Sequence, residues 1–111
     1  MAKIEREINC NFDHLLSYIE NGIVNGSVSA TLEDSSDFLD ENARCSVRVF
    51  ERYSSFGGNR VSLNVTLFQV KDDNIKLSAI TSGGSQAVFF KINTYGETSF
   101  LDCLEELLDN Y

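Results

Sequence analysis

Two runs of strict alternation joined by a glycine pair constrain this chain more than any other feature. Between Ala43 and Tyr53, the residues Ala43, Cys45, Val47 and Val49 oppose Arg44, Ser46, Arg48, Phe50 and Arg52. Beyond Gly57-Gly58-Asn59, the residues Val61, Leu63, Val65 and Leu67 oppose Ser62, Asn64, Thr66 and Phe68. Successive side chains of a strand point to opposite faces, and glycine supplies the positive φ a tight reversal needs. The two runs predict a long antiparallel hairpin with one apolar face, which must pack as part of a larger sheet. On hydropathy, the valines mark the packed face of the first strand and Arg44, Arg48 and Arg52 its solvated face.

The flanking segments extend the pattern. Ile4, Arg6 and Ile8 alternate with Lys3, Glu5 and Glu7, as in a short edge strand. The period then changes: Phe12, Leu15, Leu16, Ile19 and Ile23 recur at three and four residues, with Asn11 placed to cap a helix that ends at Gly22 or Gly26. Alternation over Val28, Ala30 and Leu32 predicts a second strand, and the five carboxylates between Glu33 and Asn42 predict a solvated loop. Lys71-Asp72-Asp73-Asn74 turns the chain into Ile75, Leu77 and Ala79. Val88-Phe89-Phe90-Lys91-Ile92 is aromatic and β-branched, which favours a further strand. Thr94 and Glu97 stand at capping-box spacing before Phe100, Cys103, Leu104, Leu107, Leu108 and Tyr111, the apolar stripe of a last helix.

Together these elements predict one α+β domain over residues 1–111. It has two layers, an antiparallel sheet of about five to six strands with both helices on one face, in the order β-α-β-β-β-β-β-α. This order is similar to a helix-grip arrangement, an analogy of pattern that implies no activity.

Charge and cysteine content bound the function classes. Seventeen acidic against nine basic residues leave a net charge of −8, which repels nucleic acid and anionic membranes. The longest apolar run, Ala87 to Phe90, is far short of a membrane span, and the first residues do not resemble a secretory signal. Cys10, Cys45 and Cys103 are odd in number and widely separated, which fits reduced thiols in the cytoplasm. A chain of this length can bury a core without a metal, and no cofactor motif occurs in it.

Each candidate site has a plainer counterpart. Cys10 near a helix start, with His14 four residues on, could form a thiol nucleophile and base, but no third residue to orient the imidazole can be named, so no catalytic residue is nominated. Cys10, His14, Cys45 and Cys103 match zinc in number and not in spacing, and Cys45 and Cys103 read as small core residues. Ser82-Gly83-Gly84-Ser85-Gln86 exposes consecutive backbone N–H groups and two hydroxyls, the makings of a ligand-binding turn, although a P-loop's lysine is missing. Arg44, Arg48 and Arg52 share a phase, and Ser62 and Asn64 are expected beside them, which makes an interaction face for an anion, an acidic peptide or a second copy.

Three stretches carry a resemblance. They are Val49-Phe50-Glu51-Arg52-Tyr53, the run from Gly57 to Leu67, and above all Ser78-Ala79-Ile80-Thr81-Ser82-Gly83-Gly84-Ser85-Gln86-Ala87-Val88-Phe89-Phe90-Lys91-Ile92-Asn93-Thr94. With Phe12, Tyr18-Ile19-Glu20, Gly22-Ile23 and Leu32-Glu33-Asp34, the sequence resembles domain-of-unknown-function family 6054 over nearly its whole length. The resemblance implies a small bacterial single-domain protein and adds no catalytic residue. The expected function is a non-catalytic cytoplasmic binding or interaction domain that forms a homodimer through the outer sheet face or the Gly83-Gly84 turn, with a small-molecule or protein partner. The alternative is a small-ligand carrier, with a cavity between Val47, Val49, Leu63 and Val65 and the helix of Phe100, Leu104 and Leu107.

Overall fold

A computed structural model describes residues 1–26, 29–53, 59–83 and 90–111, with only the backbone for 90–96. Its elements are β1 (Ala2–Ile8), α1 (Phe12–Gly26), β2 (Thr31–Leu39), β3 (Ala43–Tyr53), β4 (Arg60–Val70), β5 (Ile75–Gly83) and α2 (Phe90–Asp109). The five strands form one antiparallel sheet in the order β1-β5-β4-β3-β2, so β1 and β2 are its two edges. This is the expected α+β architecture. No described helix is long and apolar enough to cross a membrane.

The hairpin forms as the alternation requires, with Ala43 opposite Val70 and Tyr53 opposite Arg60. Asn11 caps α1, its Oδ1 accepting from the His14 backbone N–H at 2.9 Å. Phe12, Leu15, Leu16, Ile19 and Ile23 of α1 are buried together with Phe100, Leu101 and Leu104 of α2. They close on Val61, Leu63, Val65 and Leu67 of β4 and Ile75, Leu77 and Ala79 of β5. At Gly22 the two helices nearly touch: a Cβ there would lie 2.7 Å from both Leu107 methyl carbons, so only glycine allows this approach without Leu107 moving.

Three local expectations are corrected. The acidic stretch is not a loop, because β2 runs from Thr31 to Leu39 with all nine residues exposed and a register shift between Leu32 and Asp34. An edge strand buries little, so charge is compatible with it, and a charged, irregular edge resists further strand pairing. Phe90 to Ile92 lie in α2 instead of a sixth strand, and the helix starts four residues before the Thr94 cap position. β-propensity is a weak prior that context readily overrides; Val88 and Phe89 lie outside the described residues, as do Ser27 and Val28.

The third correction concerns faces. In β3 the buried residues are Ser46, Arg48 and Phe50, and directly opposed residues of an antiparallel pair share a face. Phe50 opposes Leu63 and Arg48 opposes Val65, whereas Val49 opposes Asn64 and Val47 opposes Thr66. The arginine phase of β3 therefore faces the helices, and the valine phase, with Cys45, faces outward.

Candidate functional site

The three arginines expected on an outer interaction face are instead braces between the sheet and the elements around it. Arg44 lies 3.8 Å from the centre of the Phe12 ring and donates to Asp13 Oδ1 at 2.7 Å, at the start of α1. Arg52 lies 4.5 Å from the centre of the Phe100 ring and donates to Ser99 Oγ at 2.9 Å, on α2. Between them Arg48, only 7% exposed, pairs with Asp37 Oδ1 at 3.0 Å and Glu20 Oε1 at 3.6 Å. It also donates to the Val47 and Ser36 carbonyls. A buried arginine persists only with such partners, and its aliphatic stem packs like an apolar chain. Ser62 and Asn64 lie on the opposite face, so the structure separates them from the arginines.

The other proposed residues are also dispersed. Ser82 and Gly83 belong to β5, and the Ser82 hydroxyl is 2.8 Å from that of Ser62; Gly84, Ser85 and Gln86 lie outside the described residues. Cys45 sits half-buried on the outer face of β3, and Cys103 on α2 accepts from Arg52 Nη1 at 3.4 Å. The Cys10 thiol stands beside the Tyr111 phenol, which burial first and that thiol second push above the usual tyrosine range. His14 is exposed on α1. Among the described residues the pooled cysteines and histidine do not assemble into a metal site.

Two carboxyls are held below the usual range, Asp37 by the Ser46 hydroxyl and then Arg48, Asp13 by the Arg44 guanidinium. A carboxyl depressed in the folded state adds stability that is present above its unfolded value and is lost as pH falls through its folded value. The stability difference between wild type and Asp37→Asn is therefore expected at about pH 7 and should close below about pH 4, followed by thermal melting across that range. Asp37 is well exposed, so screening keeps the difference small.

What remains exposed as a surface is the outer sheet face. The register sets out its rows: Phe38, Cys45, Phe68, Lys76 and Glu7 in one, Ser36, Val47, Thr66, Ser78 and Glu5 in the next, Asp34, Val49, Asn64, Ile80 and Lys3 in a third. Phe38 is 66% exposed, Ile80 40% and Phe68 38%. Beside Phe68 an open hollow of about 430 Å³ is lined by Glu5, Glu7, Thr66, Lys76 and Ser78. Alternation alone could not find this surface, because it depends on which phase of β3 faces out and on register between strands distant in sequence.

Fold and surface together define a two-layer α+β domain with both helices on one side of its sheet. The chain belongs to the family of unknown function DUF6054, which it matches over residues 1–111. A hypothetical protein from Sulfolobus tokodaii is similar in structure at 15% identity and a TM-score of 0.41, over 97% of this chain and 90% of that one. No curated protein matches the chain.

Proposed function

We propose that this protein is a non-catalytic cytoplasmic interaction domain that self-associates through the outer face of its sheet. The observation that carries this reading is the asymmetry of the two faces. One is covered by helices, while the other exposes Phe38, Phe68, Val70 and Ile80 around half-buried Val47 and Val49. Contiguous apolar surface on a soluble domain marks an interaction site, and aromatic residues are the usual anchors. Three cysteines with no disulfide among them support a reducing compartment. The carrier reading has less support, since Val47 and Val49 face away from α2 and the remaining residues named for its cavity are packed into the core.

Phe68→Asp tests the reading, because this central position can be changed without touching the helix-covered core. Sedimentation equilibrium of wild type at tens of micromolar should show a dimer, and the variant should weaken it by about tenfold or more while the two melt alike at concentrations low enough for both to be monomeric. A dimer that tolerates Phe68→Asp would show that association uses another surface.

A further inference from the structure

We infer that the second copy packs on the first about a twofold axis running along β4, each copy seating its Phe38 in the hollow beside the other's Phe68. This inference rests on the self-association reading and assigns that association a geometry.

Position in the sheet supplies the first argument. With β4 the third of five strands, a half-turn about a line above it carries β3 over β5 of the mate and β2 over β1. Height along the strands is kept, so each row meets its own row reversed. The row of Phe38, Cys45, Phe68, Lys76 and Glu7 then brings the two Phe68 rings together at the axis. Phe38, at the β2 end, arrives above Lys76 and Glu7 at the β1 end, where the hollow of about 430 Å³ lies. The exposed Phe38 ring and the hollow thus lie at opposite ends of the same row, on opposite sides of the axis. This arrangement is what a self-complementary twofold contact requires, and it recurs twice per dimer.

Charge gives a second argument. The same operation sets Asp34 against Lys3 of the mate and Val49 against Ile80, again twice per dimer. Packed sheets cross at about 30°, which displaces the outermost positions by a residue or two, within reach of a lysine side chain. The competing in-plane axis, perpendicular to the strands, would lay β2 against β2. In these rows the outer-facing residues of that strand are Asp34, Ser36 and Phe38, with no basic residue among them, so that contact would give Asp34 no lysine partner.

Size is consistent with both arguments. Five strands spaced about 4.8 Å apart and rising about 3.3 Å per residue make a face of roughly 700 Å², close to the ~800 Å² per partner of a standard stable interface.

The test uses the full chain and two kinds of change at exposed positions. Because Phe38 is 66% exposed on the single chain, Phe38→Ala should leave the melting temperature of the dilute monomer unchanged while weakening the dimer by about tenfold or more. Lys3→Asp and Asp34→Lys should each weaken it several-fold, and the double variant should recover most of the loss. A dimer broken by Phe68→Asp but indifferent to Phe38→Ala and to the charge exchange would overturn this geometry and leave the self-association reading standing. A monomeric wild type at tens of micromolar would overturn both.

Discussion

Phe50→Ala is expected to cost about 3–5 kcal/mol of folding stability, the range for deleting a fully buried aromatic side chain whose cavity cannot collapse. Phe50 has no exposed surface, lies in an interior strand, and is flanked across the sheet by Leu63 on β4 and Leu32 on β2. A domain of this size has about 5–15 kcal/mol in total, so the variant should unfold at a much lower urea concentration with an unchanged slope. Phe68→Ala is the informative control. It removes the same atoms from the neighbouring strand of the same sheet, but from the face the helices do not cover, and should cost the monomer under about 1 kcal/mol. Equal losses from the two substitutions would mean that the assignment of faces is wrong.

The contrast between these two phenylalanines shows what could be read from the chain and what could not. Element order, the hairpin, the Asn11 cap and the edge position of β1 follow from local spacing, because each depends on residues a few positions apart. The orientation of β3 does not. Both its phases carry bulky side chains, and a hydropathy reading sends the arginines outward, although each arginine finds a carboxylate or an aromatic ring beneath the sheet. One local cue was present, since Phe50 falls in the arginine phase and opposes the apolar phase of β4. Charge misled likewise at β2, where an exposed edge strand needs no apolar face. The outer surface was hidden for a different reason. Phe38 and Lys76 belong to one row only through three successive registers, and register is a tertiary quantity.

Arg48 gives the sharpest separation between the two orientations of β3. On an outer face, Arg48→Glu would be a surface change that alters assembly and leaves folding intact. In the structure the residue is 7% exposed, and the new carboxylate would stand between Glu20 and Asp37, whose charges Arg48 now balances. Uncompensated buried charge costs about 3–5 kcal/mol, so the variant is expected to unfold at a much lower denaturant concentration than wild type, followed by the near-ultraviolet dichroism that reports aromatic packing. Arg48→Met should behave differently. It keeps a flexible apolar stem beneath α1, and Glu20 and Asp37 are exposed enough to recover water, so its loss should be a fraction of that for glutamate. Denaturant midpoints in the order wild type, Met, Glu would establish that the stem packs and the charge is balanced locally. A folded Arg48→Glu protein with wild-type stability would instead put Arg48 in solvent, and the row assignments on which the dimer geometry depends would fall with it.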